Sequence, residues 1–143
     1  MPKWLDVAKG EIGVKEVTGI VANHQIVDFL ACTSLPVEMV NSDETPWCSA
    51  FINWCMGQAG IQGTGLANAR SWLDWGDPLD KPVEGCVVVL RRGAPPSGHV
   101  TFFVREFGDS IVCLGGNQGN QVKYSTYQTE DVIGYRWPKG EPV

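Results

Sequence analysis

Between Thr45 and Gly60 the chain reads TPWCSAFINWCMGQAG, and inside this stretch only Ser49, Asn53 and Gln58 carry polar side chains. Thr45 is a suitable N-cap, Pro46 then occupies the first helical position where its missing N–H costs nothing, and Gly60 is a suitable stop. Cys48, Phe51, Ile52, Cys55 and Ala59 share one helical face, and Trp47, Ala50 and Trp54 lie on an adjoining one. A helix this apolar on every side has to be surrounded by the rest of the chain. The segment therefore predicts a buried central helix, around which everything else must be arranged.

The remaining elements divide by position. Ahead of the central helix, Trp4, Leu5, Val7, Ala8 and Ile12 form a short amphipathic stretch that Gly13 ends. Asn23 to Cys32 forms a second, with Ile26, Val27, Phe29 and Leu30 apolar. A shorter helix is expected from about Ala67 to Trp75. From Gly85 onward the period changes. Cys86 to Leu90, Val100 to Arg105, Ile111 to Leu114, Gln121 to Tyr124 and Val132 to Trp137 are short β-type runs separated by turn residues. Gly108-Asp109 is a hairpin signal between the second and third of them. Helices first and an antiparallel sheet of about five strands second define an α+β fold. The 143 residues fit one domain, 1–143. A chain of that size buries roughly 70% of its unfolded surface, enough for a conventional core.

Charge and cysteine usage narrow the function. A formal charge of −5 offers no basic footprint for nucleic acid. No apolar run approaches the ~20 residues that span a bilayer. The start, MPKWLDVAKGEIG, lacks the apolar core of a signal peptide. Synthesis in the cytoplasm, followed by retention or export by another route, is the expectation. Five cysteines, Cys32, Cys48, Cys55, Cys86 and Cys113, several in apolar runs, read as reduced thiols. None forms a C-x-x-C pair, so no structural metal site is expected. The acidic cluster Asn41-Ser42-Asp43-Glu44 lacks the spacing of a calcium-binding loop and reads as a solvated loop, although sequence leaves calcium open there.

One thiol stands apart. With Thr45 as N-cap, Cys48 falls at about N3, where unpaired backbone N–H groups and the helix dipole favour a thiolate and can hold an oxyanion. The competing reading is a small core residue, which fits Cys55 two turns along the same face. Asp43 and Glu44 nearby would oppose a thiolate. A cysteine nucleophile needs a base. Of the two histidines, His24 sits among Asn23 and Gln25 and reads as a surface residue, whereas His99 follows PPSG and opens an apolar strand. If Gly108-Asp109 is a two-residue turn, His99 lies opposite Gln118; a change of one residue puts it opposite Asn117. Either amide could fix the imidazole tautomer. Pattern alone leaves the register open. Trp47, Trp54, Trp72 and Trp75 are mainly core candidates. Trp72, with Trp75 on its short helix, can also line a groove beside polar Asn68, Arg70, Ser71 and Asp74.

EIGVKEVTG, ETPWCSAFINWC, ARSWLDWG, SGHVTFFV, LGGNQGN and GYRWP, in that order, make the chain resemble the NlpC/P60 and CHAP superfamily of papain-like cysteine peptidases. The likeness is greatest to compact phage-type peptidoglycan hydrolases. The resemblance implies a papain-like fold and a catalytic set of Cys48, His99 and Asn117, with Trp47 and Trp72 as substrate-binding candidates. It implies amide cleavage in a peptidoglycan stem or crossbridge through an acyl-enzyme, without metal or organic cofactor. A cysteine acyltransferase of the same fold and a catalytically silent binding module are the alternatives. The implied partner is bacterial peptidoglycan, met in the periplasm or wall after release through a holin-made hole or a secretion machine. A monomer is expected, with an immunity or inhibitor protein as a further partner if the chain is an effector. Relatives carry an acidic residue where this chain has Cys86.

Overall fold

The protein is described by a computed structural model covering residues 2–15, 24–33, 47–92 and 98–143. Among these residues three α-helices precede the sheet: α1 (Lys3–Lys9), α2 (His24–Leu30) and α3 (Cys48–Gln58). A 3-10 helix, Ala69–Asp74, leads into strands β1 (Asp77–Leu79), β2 (Val87–Arg91), β3 (Gly98–Phe107), β4 (Ser110–Gly115), β5 (Lys123–Gln128) and β6 (Val132–Trp137). These form one six-stranded antiparallel sheet in the order β1-β6-β2-β3-β4-β5. The α+β class and the buried central helix expected from the sequence are both present.

The central helix is as enclosed as its composition requires. Cys48 to Asn53, with Cys55 and Met56, are buried in it, and it packs on α1, α2, β3 and β4. Phe29 of α2 stacks on Trp47 and meets Phe51 edge-on, with ring centroids 5.9 and 5.1 Å away. Gly60, at φ +78, ends the helix: its N–H reaches Gly57 O at 3.0 Å and the Ile61 N–H reaches Met56 O at 2.8 Å. These are the two bonds that satisfy orphan carbonyls in a Schellman cap.

The polar residues of α3 are not loose ends. Ser49 Oγ donates to Leu66 O at 2.7 Å and accepts from the Trp72 indole at 2.9 Å. Asn53 accepts from the Gly65 N–H at 2.9 Å and donates to Ser49 O at 3.1 Å. Buried polar groups must be paired, and here the pairing moors residues 64–72 against the first two turns of α3. The 3-10 helix that follows packs against the start of β3, where a Cβ on Gly98 would lie 3.3 Å from Arg70 Cγ.

The β3–β4 hairpin turns at Gly108-Asp109 as expected, with Phe107 paired to Ser110. The positive φ falls on Gly108 and not on Asp109, as in a type II′ turn. Between Phe103 and Arg105 the register slips by one residue, so that Phe102 pairs with Leu114. This bulge was not expected, and it shifts by one residue the position that the strand pairing would set opposite His99.

Candidate functional site

Cys48 opens α3. The N-cap is Trp47, at φ −128 and ψ 17, whose carbonyl takes the first helical bond from the Phe51 N–H at 3.0 Å. Cys48 is therefore the first helical residue rather than the third, two positions earlier than expected. Thr45 and Pro46 lie outside the described residues, as do Asp43 and Glu44. The shift leaves Cys48 and Ser49 among the N–H groups that have no partner within the helix. Both act on the sulfur, together with the Val100 N–H of β3, and favour the thiolate. Burial is the larger influence, however, and holds the Cys48 thiol above the usual cysteine range. At neutral pH the resting group is the thiol.

His99 lies near the start of β3, one residue before Val100, and is buried. Its Nε2 faces Gln118 Oε1 at 3.0 Å. The orientation of that amide follows from its other contacts. Gln118 Nε2 donates to Lys123 O at 2.6 Å and to Cys113 O at 3.4 Å, so both amide hydrogens are committed to carbonyls and the oxygen must face the imidazole. An acceptor at Nε2 requires the proton there. The lone pair of neutral His99 is then on Nδ1, which has no hydrogen-bond partner. A buried, unpartnered, basic nitrogen on the strand that borders the Cys48 sulfur is the central geometric fact of this site.

Asn117, implied by the resemblance as the third residue, does not hold the imidazole; Gln118 does. The bulge in β3 brings the extrapolated register of His99 to position 117, but β4 ends at Gly115 and the chain turns before that pairing can form. Asn117 takes a left-handed conformation at φ +57, and the next side chain swings inward. The turn itself is held by the Gln118 N–H on Gln121 O at 3.0 Å. Behind it, the Gly13 N–H binds Val122 O and the Val122 N–H binds Val14 O, at 3.0 and 2.7 Å. The segment EIGVKEVTG thus has a physical task at its Gly13-Val14 step: it ties down the turn that presents Gln118.

Trp47 and Trp72 are corrected as substrate-binding candidates. Both are fully buried, Trp47 against Phe29 and Trp72 on Ser49, so neither presents a surface to a ligand. The side chain of His24 lies outside the described set. Cys55, Cys86 and Cys113 are buried core thiols whose burial pushes them up, Cys86 to about 12. No group of metal-ligating side chains occurs among the described residues. A cavity of about 490 Å³ between Trp4, Ala59, Ile61, Val83 and Trp137 opens at the far end of α3, roughly 16 Å along the helix from Cys48. It contains none of this chemistry.

Two residues at the site had no signal in the sequence. Tyr127 of β5 covers His99, with ring centroids 5.5 Å apart and planes 41° apart. Arg92, exposed just past the end of β2, exerts its charge on Cys48, His99 and Tyr127. Only the fold brings β2, β3 and β5 to one place, and neither residue belongs to a recognisable motif.

Burial pushes the His99 imidazole down from 6.5 to about 4; the Gln118 bond opposes this and Arg92 adds to it. His99 is thus neutral throughout the physiological range, as a base must be. Between pH 6.5 and about 4 the unfolded chain binds a proton that the native chain refuses, so stability falls as pH falls through that window. The loss is on the order of 3 kcal/mol. Catalysis by this pair is expected to show an acid limb of kcat/KM near pH 4 and an alkaline limb above 9, since the productive form carries one proton between the two groups. Removing the covering ring in Tyr127→Ala should admit water and move the acid limb upward by about one unit, while Tyr127→Phe should leave it in place. An unmoved limb in Tyr127→Ala would show that the ring does not set the environment of His99.

The sequence profile of the CHAP domain matches residues 40–117, more than half of the chain, and the chain belongs to that family. It is a family of peptidoglycan-related cysteine peptidases and amidases. Among solved structures, the chain is similar to a Staphylococcus aureus protein described as similar to lipoprotein, NLP/P60 family. The TM-score is 0.57 at 16% identity, over 96% of this chain and 41% of that one. The chain therefore spans about two-fifths of that protein's length, and the likeness shows that the two share a fold. No curated protein sequence matches the chain.

Proposed function

We propose that the chain is a cysteine hydrolase that cleaves an amide bond of peptidoglycan, with Cys48 as nucleophile, His99 as base and Gln118 as the residue that orients it. The observation that carries this reading is the locked Gln118 amide, which leaves the basic lone pair of His99 on the buried, unpartnered Nδ1. Membership of the CHAP family supplies the substrate class.

The reaction follows from these positions. Nδ1 of His99 takes the Cys48 proton, and the thiolate attacks the amide carbonyl carbon. The oxyanion that forms is held by backbone N–H groups at the start of α3, where they have no helical partner. Nδ1–H then protonates the leaving nitrogen, the C–N bond breaks, and a thioester remains on Cys48. A water gives its proton to Nδ1 and attacks the thioester, releasing a carboxylic acid and restoring the thiol. Gln118 keeps accepting from Nε2 throughout, which stabilises the imidazolium in both half-reactions. Each step needs only these side chains and water. The bond lies in a stem peptide or crossbridge, or joins the stem to the glycan. Residues 1–143 act as one catalytic domain, and the substrate is met in the periplasm or wall.

Digestion of purified peptidoglycan tests the reading, with products resolved by mass spectrometry. The wild-type chain and Cys55→Ala should release fragments with one new amine and one new carboxyl at a single bond type. Cys48→Ala should release none above background, a loss of at least about 10⁴-fold. Full activity in Cys48→Ala would refute the assignment.

A further inference from the structure

Among the described residues, Arg92 is the one charged side chain that acts on all three of Cys48, His99 and Tyr127, and no carboxylate acts on any of them. Its place is set by the sheet. Leu90 pairs with His99 and Arg91 with Gly98, so the chain leaves β2 at the end of the sheet where His99 sits. The two neighbouring arginines then differ. Arg91 is held by Asp131, Nε to Oδ1 at 3.0 Å. Arg92 is exposed and makes no ion pair or hydrogen bond among the described residues.

A cation with no carboxylate partner among the described residues is costly to the chemistry at this point. It favours the thiolate of Cys48, which helps the first step, but it disfavours the imidazolium of His99. That imidazolium must exist when the leaving amine is protonated and again when water attacks the thioester, and in the second case no thiolate is present to offset the repulsion. An anion on the guanidinium removes the penalty without removing the residue. We propose that Arg92 receives a carboxylate of the substrate beside the scissile amide, so that the enzyme selects amides flanked by a free carboxylate over their uncharged analogues. This rests on the cysteine-hydrolase reading for its effect on rate, but not for its effect on binding. Guanidinium and carboxylate meet as a forked, charge-assisted pair, a geometry a lysine would not reproduce. The surrounding chain, at a net charge of −5, makes a local cation the more selective feature.

Two forms of one soluble disaccharide-peptide muropeptide serve as probes: the acid form with free carboxylates, and the same molecule with its carboxylates converted to carboxamides. Binding is measured by calorimetry on the full chain carrying Cys48→Ala, which cannot turn the probe over. The acid form is expected to bind about 10-fold more tightly, with the preference weakening as salt rises. Adding Arg92→Met should bring the two forms within about 2-fold, whereas adding Arg91→Met should leave the preference intact. With Cys48 present, the acid form should also show the higher kcat, and Arg92→Met should erase that difference without moving the thermal midpoint. Equal affinities, no binding of either form, or a preference that survives Arg92→Met would overturn the proposal. Absence of turnover in the chain with Cys48 would instead overturn the hydrolase reading, while the calorimetric comparison still decides the role of Arg92.

Discussion

Replacing Gln118 with Ala should lower kcat/KM by about 10³-fold, while Asn117→Ala stays within about 3-fold of the parent. The first effect has the size expected when a general base loses the partner that fixes its tautomer. In the parent the Gln118 oxygen is aimed at Nε2 by two bonds from its own nitrogen, and removing it leaves the imidazole proton free to move to Nδ1. A proton on Nδ1 removes the lone pair that the proposed reaction uses as base. Nitrogen NMR of labelled His99 should show the proton on Nε2 in the parent and a mixture in Gln118→Ala. Asn117→Ala should instead cost about 1 kcal/mol of stability, because at φ +57 Ala lacks the short polar side chain that lets Asn tolerate the left-handed region, and Asn117→Gly, with no Cβ, should recover it. A large rate loss in Asn117→Ala with a melting temperature unchanged would return the third role to Asn117.

The second large effect is on folding. Gly116 lies where β4 runs onto the start of α3, and a Cβ there would stand 2.5 Å from the Trp47 ring and 2.8 Å from Phe51 Cβ. Both neighbours are fully buried and cannot retreat. Gly116→Ala is therefore expected to destabilise the protein by about 3 kcal/mol, read as a lower denaturant midpoint at unchanged slope. The melting temperature should fall by roughly 10 °C. Gly115→Ala presses on a different target. Its Cβ would meet Thr101 Oγ1 and come within 2.9 Å of Gln118 Oε1, so its main cost should appear in kcat. The first two glycines of LGGNQGN thus divide between packing against the helix and clearing space for the amide.

The central helix was legible because its composition admitted one environment, and Gly60 marked its end by a positive φ that the fold uses. Its start lies two residues later than the sequence predicts: Thr45-Pro46 is a good cap signal, yet Trp47 does the capping. Val132–Trp137 was placed to the residue, and β2 to within one residue at each end. The strand Asp77–Leu79 was missed: three residues with a central Pro78 carry no alternation, and such a strand can exist only on the sheet edge it occupies. The bulge at Val104 lies in an apolar run, where the added residue changes no pattern, and it moves the strand register toward Asn117; Gln118 reaches His99 because the chain turns after Gly115, with Asn117 in the left-handed region. Trp47 and Trp72 read mainly as core, and Trp72 also as a groove residue, because an aromatic side chain does not declare which neighbours cover it. Tyr127 and Arg92 became visible only once β2, β3 and β5 were adjacent.

The proposed reaction turns on a covalent step at one sulfur, and intact-protein mass spectrometry after acid quench during peptidoglycan digestion reads that step directly. It predicts an adduct equal to the acyl fragment of the cleaved peptide, mapped by proteolysis to a thioester on Cys48. Cys55→Ala should carry the same adduct, and Cys48→Ala none. Steady digestion with no adduct on Cys48, or an adduct on another cysteine, would contradict it.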